Sequence, residues 1–321
     1  MPRRLKVFFH DNCFDGTASA AVFSVFYRDV IDGAAAVTVE GVQHSTGDPF
    51  AGRAIDGDDN ACVDFRYSPS PAMTWWFDHH RTAFQPARLR DHFTARASPQ
   101  QVFDPDAPSC TGLITRTLEA RHGWRPPPHL VVLSGWAELI DGARFASAAE
   151  AISLEAPAMR LAAWVSACRD PEMLGHYVDA IARRPHEEVA AEAWLAGPLA
   201  SLADERARTI ELVERRAVRD GDVVLYDLTG DEAAGAGGFV GYHLFPDARY
   251  TISLVRTGAA VKISVGRNPW AAAAPGPDIG AVCERHGGGG HAAVGGVTLA
   301  LDALDSARAI AQTIRAELLA S

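Results

Sequence analysis

An apolar segment that ends abruptly in metal-binding side chains constrains the fold of this chain most strongly. Residues 75–77 read Trp-Trp-Phe, and Asp78, His79, His80 and Arg81 follow them directly. An acid and two imidazoles at the tip of a buried strand lose solvation, so they need partners or a metal ion. In α/β proteins such groups collect at the carboxyl ends of parallel strands. The segment therefore predicts a buried strand of an α/β sheet with a functional site at its end.

Two further apolar segments predict strands with polar groups at their ends. Residues 5–9 lead into the loop at residues 10–16, which reads His-Asp-Asn-Cys-Phe-Asp-Gly, and residues 61–65 carry Asp64 near their end. The loop precedes a predicted helix, and Asp15 could merely complement the dipole of that helix. Three polar strand ends nevertheless all carry a desolvation cost, and one shared divalent metal site compensates them together.

A predicted helix brings two more carboxylates to its end. Residues 130–141 are largely apolar and carry Glu138 and Asp141. Either carboxylate can serve as a solvated helix cap. Asp141 directly precedes Gly142 at the close of the apolar segment, so it is a candidate for a further metal ligand.

The character of the sequence changes after residue 221. Residues 187–219 are charged and largely helical in pattern, as expected for a linker between domains. The strands predicted beyond it are residues 223–228, 238–244, 250–256, 261–265 and 294–301, with helices at 278–286 and 306–319. The predicted domain organisation is therefore a first domain at 1–185, a helical linker at 186–220 and a small α+β domain at 221–321.

A run of four glycines is the main feature of the predicted second domain. Residues 287–290 are all glycine, and His291 follows them. Such a backbone can approach a ligand closely and aim several N–H groups at a phosphate. His291 is placed to donate to an oxyanion or to contact a base, and Arg267 can offer a bidentate fork to a phosphate. The alternative is a flexible loop without a ligand. The run matches neither a P-loop nor a dinucleotide fingerprint.

Composition limits the partners of the chain. Its 321 residues carry a formal net charge of -10, with a pI near 5.6, which argues against a broad basic face for long nucleic acid. The five cysteines are scattered without a Cys-x-x-Cys pair, as expected for reduced thiols in a cytoplasmic protein. Neither a signal peptide nor a membrane-spanning segment fits the sequence. A small pocket for a short phosphorylated ligand, and a homodimer, are both compatible with this composition.

Together these motifs resemble the DHH phosphoesterase superfamily, in particular members with a DHH-associated C-terminal domain such as nanoRNases and RecJ-like phosphoesterases. The resemblance covers nearly the whole chain. The motifs that carry it are the loop at 10–16, Asp64, Asp78-His79-His80, Asp141, and the run from Gly287 to His291. It implies an α/β fold: an N-terminal domain with a mainly parallel sheet, a helical linker and a smaller mixed-sheet C-terminal domain. It also implies an active site in the cleft between the domains.

The resemblance further implies roles for individual residues. Superfamily members bind two divalent ions, usually Mn²⁺, which suits imidazole and carboxylate ligands. The implied metal ligands are His10, Asp15, Asp64, His79 and Asp141, with Asp64 as the bridge between the ions. His80 is implied to contact the phosphate or to act behind the ligands, and Asp78 to orient an imidazole. The implied substrate-binding residues are Arg267, Gly288, Gly289, Gly290 and His291.

Cys13 departs from the superfamily pattern. The first motif usually has two carboxylates separated by one residue ahead of its glycine, and Cys13 takes the first of these places, one residue closer to His10 than usual. Either Cys13 is a further ligand as a thiolate, or Asp11 moves in, or one ion binds more weakly. A thiolate would shift the preference toward softer metals.

We therefore expect a cytoplasmic, manganese-dependent phosphoesterase that uses metal-activated water on short nucleotidic substrates. Short oligoribonucleotides, linear dinucleotides and adenosine bisphosphate are the candidates, because an acidic chain with one C-terminal domain offers no basic channel for a long strand. One alternative is hydrolysis of pyrophosphate, polyphosphate or a cyclic dinucleotide. The other is a non-catalytic nucleotide-binding protein with a decayed site, which Cys13 alone supports.

Overall fold

The chain forms two units, and each unit consists of two separate segments of the chain. The computed structural model describes residues 2–43, 47–96, 98–231, 238–258, 260–271 and 275–321. The first unit combines Met1–Arg144 with Leu154–Leu199, and the second combines Phe145–Ser153 with Ala200–Ser321. The chain thus leaves the first unit, contributes a short segment to the second, and returns before it enters the second unit again.

The described residues form eleven strands and twelve α-helices. In chain order the strands are β1 (Arg4–His10), β2 (Ala36–Val42), β3 (Asp59–Val63), β4 (Trp75–Asp78), β5 (Gln101–Phe103), β6 (Val218–Asp220), β7 (Val223–Asp227), β8 (Tyr250–Thr257), β9 (Ala260–Arg267), β10 (Gly289–His291) and β11 (Val294–Ala300). The helices are α1 (Phe14–Phe26), α2 (Leu89–Ala95), α3 (Cys110–His122), α4 (Pro128–Asp141), α5 (Ala148–Ile152), α6 (Pro157–Ala167), α7 (Pro171–Arg183), α8 (His186–Ala190), α9 (Ala193–Arg216), α10 (Val240–Leu244), α11 (Ile279–Glu284) and α12 (Leu304–Leu319). Across the described ranges, every helix is too short or too polar to cross a membrane.

The sheet of the first unit has the order β2-β1-β3-β4-β5, and its strand pairs are parallel. Every residue of β3 and β4 is buried, as expected for parallel strands covered on both faces. Successive side chains of β4 point to opposite faces of the sheet. Trp75 and Phe77 contact Phe23 of α1, whereas Trp76 contacts Phe84 in the core of the opposite face. The continuous apolar sequence of these strands therefore reflects two cores, one on each side.

Helix α1 is buried along nearly its whole length. Its small residues allow close packing against α3, α4 and α7 as well as against β1. A helix that is apolar on all sides belongs in the interior. Its first turn is therefore held at a fixed place at the carboxyl end of β1.

The second unit contains a mixed sheet with the order β10-β11-β9-β8-β7-β6. β7 and β8 are parallel, and the neighbouring pairs are antiparallel. α12 packs on β7, β8 and β9, and α11 packs on β10 and β11. The predicted fold class, with a parallel sheet in the N-terminal part and a mixed sheet in the C-terminal part, is confirmed.

The strand predicted at residues 238–244 is wrong, because residues 240–244 form α10. A short apolar segment fits a strand or a buried helical turn equally well by periodicity. Val240 and Tyr242 are both buried, and a Cβ at Gly241 would lie 2.8 Å from a methyl carbon of Thr251. Close packing of this turn against β8 therefore selects the helix.

Candidate metal centre

Strand register brings the three predicted strand ends together. Phe9, Val63 and Phe77 are register partners in β1, β3 and β4. The residues that follow them along the chain are His10, Asp64 and Asp78. This edge includes the place between β1 and β3 where the strand order changes direction, which is the usual position of a ligand site in an open α/β sheet.

Asp64 lies at this edge and is fully buried. Its backbone is left-handed, with φ 57°, a conformation that Asp and Asn tolerate better than most residues. Neither carboxylate oxygen has a well-aligned hydrogen-bond donor in the described part of the chain. His10 Nδ1 lies 3.4 Å from Oδ2, and His79 Nε2 lies 3.5 Å from Oδ1. Burial alone would raise the pKa of Asp64, but the surrounding imidazoles outweigh burial and hold that pKa well below its usual range. A buried anion of this kind is a place for a cation.

His79 presents one ring nitrogen to three carboxylates. Its Nδ1 lies 2.9 Å from Ala107 O, so Nδ1 carries the hydrogen and Nε2 can offer a lone pair. Nε2 lies 3.7 Å from Asp15 Oδ2, 3.5 Å from Asp64 Oδ1 and 3.3 Å from Asp141 Oδ2. Burial lowers the pKa of His79, but Asp64 and Asp15 outweigh it and raise the pKa to about 10. The three carboxylates therefore favour a positive charge at His79 Nε2, either as a proton or as a metal ion.

The separations between these side chains fit a divalent cation. Two ligand atoms that each lie about 2.1 Å from one ion are about 3.0 to 3.4 Å apart at bond angles near 90 to 109°. Within the described residues, ligand atoms approach to within 4.8 Å of one another in three sets: His10, Cys13 and Asp64; Asp64, His79 and His80; and Asp15, His79 and Asp141. Asp64 and His79 each belong to two sets, so the sets are contiguous. The residues present therefore fit a divalent metal centre.

The loop between β1 and α1 brings Cys13 into the centre. A Cβ at Gly16 would overlap the backbone oxygen of His10, so only glycine allows this close turn. Thr17 N donates to Cys13 O at 3.1 Å, which joins the loop to the first turn of α1. Burial, together with the charge of Asp64, raises the pKa of Cys13 well above its usual value. The thiol therefore keeps its proton unless a cation replaces it.

Two other carboxylates near the motifs point elsewhere. Asp11 Oδ2 accepts a hydrogen bond from Gln43 Nε2 at 3.1 Å, beyond the end of β2. Glu138 turns to α3, where it pairs with Arg116. Of the described acids at the first motif, Asp15 and not Asp11 joins a metal-ligand set, and Cys13 joins a different set, with His10 and Asp64.

Asp15 connects the centre to the start of α3. Its Oδ2 accepts from Cys110 N at 2.6 Å, and its Oδ1 accepts from Thr111 N at 2.9 Å and from Thr111 Oγ1 at 2.6 Å. These donors belong to the first turn of α3, where a carboxylate is favoured by the helix dipole. The sequence indicates only the dipole of α1 as a role for Asp15 and gives no sign of these contacts. Ser109 before the helix signals an N-cap, but nothing local links the start of α3 to the carboxylate of Asp15, which lies 96 positions before Thr111.

His80 is oriented by Asp78. Its Nδ1 lies 2.7 Å from Asp78 Oδ1, which also accepts from the backbone N–H groups of His79 and His80 at 2.8 Å and 3.2 Å. The carboxylate therefore fixes the ring and leaves Nε2 for a ligand. Burial lowers the pKa of His80, but Asp78 and Asp64 outweigh it and raise the pKa to about 9.

Arg169 is a second contact that sequence reasoning missed. It lies between α6 and α7 and donates to the side-chain oxygen of Asn12, and to Ser166 O at 2.8 Å. Asn12 has a left-handed backbone, with φ 59°. The arginine therefore holds the turn that carries the centre's loop, and no local sequence pattern pairs the two positions.

The predicted substrate-binding residues lie in the second unit. Gly289, Gly290 and His291 form the edge strand β10, paired with β11, so this part of the run is a hairpin strand and not a flexible loop. His291 is exposed. Arg267 ends β9, where its guanidinium donates to Pro277 O at 2.5 Å and its Nε is buried with no acceptor among the described residues.

Packing explains the glycine at position 288 but not the one at position 289. A Cβ at Gly288 would overlap the backbone oxygen of Gly296 in β11. At Gly289 a Cβ would meet no atom within 4 Å. The hairpin therefore requires glycine at position 288, whereas packing has no such requirement at position 289.

Comparisons with known proteins address the fold. No family model matches the sequence, and no curated protein matches it. PggH from Vibrio cholerae, a pGpG-specific phosphodiesterase, is a similar solved structure, with 19% identity, a TM-score of 0.69, and coverage of 98% of this chain and 99% of PggH. RecJ from Thermus thermophilus, solved in complex with Mn²⁺, has 16% identity, a TM-score of 0.54, and coverage of 98% of this chain and 52% of RecJ.

These likenesses extend over almost the whole chain, so they concern both units. At such low identity they establish the fold. The resemblance inferred from the Asp-His-His and glycine motifs is confirmed at that level. The protein has the fold of the DHH phosphoesterase superfamily.

Proposed function

We propose that the protein is a divalent-metal-dependent phosphoesterase that hydrolyses short nucleotidic substrates. The observation that carries this proposal is a contiguous cluster of three ligand sets. Asp64 links the first set to the second, and His79 links the second to the third. Neighbouring cations are the usual device for in-line displacement at phosphorus. The Mn²⁺ in the RecJ structure supports manganese as one candidate for this chain.

The side chains of the first unit would bind and orient the reacting groups. His10, Asp15, Asp64, His79 and Asp141 would hold two divalent ions, which when bound supply an activated water and neutralise charge on the phosphoryl oxygens. His80, held by Asp78 through Nδ1, would present Nε2 to a phosphoryl oxygen or to the leaving oxygen.

A linear dinucleotide is the substrate class that we favour. The similarity to a pGpG-specific phosphodiesterase over 98% of the chain supports it, and so does the net charge of -10, which disfavours long nucleic acid. Arg267, Gly288, Gly289, Gly290 and His291 would bind a phosphate or a terminal nucleotide.

A substrate panel tests the proposal. Purified protein, stripped of metal and reloaded with Mn²⁺, is incubated with pGpG, short oligoribonucleotides, adenosine bisphosphate, pyrophosphate, polyphosphate and a cyclic dinucleotide. We expect mononucleotide release from pGpG or short RNA, and loss of that activity on chelation. Hydrolysis of only the inorganic or cyclic compounds would replace the proposed substrate class with those alternatives.

A matched pair of variants shows whether the activity belongs to the cluster. Asp64→Asn removes the shared carboxylate, and we expect activity to fall by at least about 100-fold. Asp106→Asn makes the same change at an exposed residue that pairs with Arg81, and we expect full activity. Nucleotide binding without any hydrolysis in the wild type would favour the non-catalytic alternative.

A further inference from the structure

The ligand sets of the centre differ in chemistry. Asp15, His79 and Asp141 offer two oxygens and one nitrogen, whereas His10, Cys13 and Asp64 offer a nitrogen, a sulfur and an oxygen. Sulfur is a soft ligand, and carboxylate oxygen is a hard one. The metal positions next to these two ligand sets are therefore not equivalent.

The buried Asp64 carboxylate indicates independently that a cation belongs beside the sulfur. Asp64 has no exposed surface, and neither of its oxygens has an aligned donor among the described residues. One of its oxygens lies within 4.8 Å of the ligand atoms of both His10 and Cys13. A buried anion needs a compensating positive charge, and His10 Nδ1 and His79 Nε2 lie 3.4 and 3.5 Å from its oxygens, where a divalent ion would replace their protons.

The sulfur is held by the fold and not by a loose loop. Cys13 is the residue before α1, and its backbone oxygen accepts from Thr17 N at 3.1 Å. The turn ahead of it is fixed by the contact between Arg169 and Asn12, and the turn after it by the close approach of Gly16 to His10. The positions of the three ligand residues are therefore set by β1, β3 and α1.

We propose that Cys13 is a thiolate ligand that makes the metal centre asymmetric. Its position takes a borderline divalent ion such as Zn²⁺, Co²⁺ or Fe²⁺ in preference to Mn²⁺, while the set with Asp15 and Asp141 accepts the harder ion. This inference rests on the proposed metal-dependent function, because it concerns the same centre. On binding, the sulfur loses its proton to solvent and forms the bond to the metal.

Cobalt spectroscopy tests the sulfur ligand without any activity assay. Metal-free protein is titrated with Co²⁺ under anaerobic conditions, and the near-ultraviolet band of thiolate-to-cobalt charge transfer is recorded. We expect the band in the wild type and in Cys168→Ser, whose thiol lies outside the ligand sets of the described residues. We expect Cys13→Ser to bind Co²⁺ without the band. Serine at this position is a favourable N-cap, so α1 should still form.

A Co²⁺-loaded wild type without the band, or a Cys13→Ser protein that keeps it, would overturn the inference.

Metal competition tests the selectivity. The ratio of Zn²⁺ to Mn²⁺ affinity should fall by at least about tenfold in Cys13→Asp, which restores an oxygen ligand. An unchanged ratio would contradict a role for the sulfur in metal choice. The two proposals can fail separately: a charge-transfer band without phosphoester hydrolysis refutes only the proposed function, and hydrolysis without the band refutes only the thiolate ligand.

Discussion

Thr111→Val isolates the bond between the metal centre and α3. Thr111 Oγ1 lies 2.6 Å from Asp15 Oδ1 and 3.0 Å from Ser19 Oγ, and all three residues are buried. Valine keeps the shape of the side chain but removes the hydroxyl. In the metal-loaded protein, where Asp15 is ionised, a hydrogen bond to this charged acceptor contributes about 1.5 to 3 kcal/mol, and the Ser19 hydroxyl also loses a partner. We therefore expect the free energy of unfolding to fall by about 2 to 3 kcal/mol.

Tryptophan fluorescence is a suitable measurement, because it reports mainly on the first unit. Six of the seven tryptophans belong to that unit: Trp75, Trp76, Trp124, Trp136, Trp164 and Trp194. For a unit of about 190 residues, 1 kcal/mol shifts Tm by about 2 to 4 °C, so we expect a decrease of roughly 4 to 12 °C. Metal affinity should also fall by about 10- to 100-fold, since Asp15 loses the group that orients it.

Thr115→Val is the matched control for this change. Thr115 lies one turn later in α3, and its hydroxyl donates only to Thr111 O at 2.9 Å among the described residues. We expect it to lower the free energy of unfolding by less than about 1 kcal/mol and to leave metal affinity unchanged. Equal losses in Thr111→Val and Thr115→Val would refute the reasoning, because the bond to Asp15 would then contribute nothing.

Three further predictions concern other parts of the structure. Gly16→Ala should lower the free energy of unfolding by about 1 to 3 kcal/mol, because the added Cβ overlaps the loop at His10. The control Gly135→Ala lies in open space on α4 and should raise the free energy of unfolding by up to about 1 kcal/mol, and urea denaturation measures both. Gly289→Ala should leave Tm unchanged yet raise KM for a dinucleotide about tenfold, whereas Gly288→Ala should lower Tm. An unchanged KM in Gly289→Ala would argue against contact between this backbone and the substrate. Asp78→Asn should lower kcat by about 10- to 100-fold with unchanged metal content, which elemental analysis would check.

The sequence predicts those parts of the fold whose signals lie in residues adjacent in the chain. The strand at Trp75–Asp78 is predictable because its apolar residues and its polar tip are adjacent in the chain. The closeness of His10, Asp64 and Asp78 follows from strand ends meeting at one edge, although the sequence does not state the strand order. Pairings across long chain separations, such as that of Asp15 with Thr111, have no local signal.

The departures from prediction arise where packing decides. Residues 240–244 have the apolar composition of a strand, yet Gly241 allows a helical turn to pack closely on β8. For the glycine run a flexible loop was the alternative to a ligand-binding backbone, yet Gly289 and Gly290 pair with Gly296 and Gly295 in a hairpin. In both cases a glycine permits a close approach to a following strand, Gly241 to β8 and Gly290 to β11, that the segment's own composition does not indicate.

The excursion of the chain through Phe145–Ser153 has a consequence for dissection of the protein. Ile152 of α5 is buried in a cluster with Val213, Val224 and Tyr226 of the second unit, and Arg206 donates to its backbone oxygen at 3.2 Å. A fragment that begins at residue 200 would lack this side chain, which contributes about 1.5 to 3 kcal/mol when buried. A single cut between the units at residue 199 therefore leaves α5 on the N-terminal fragment and the second unit incomplete. Circular permutation or coexpression of complementary fragments would have to keep α5 with the C-terminal sheet.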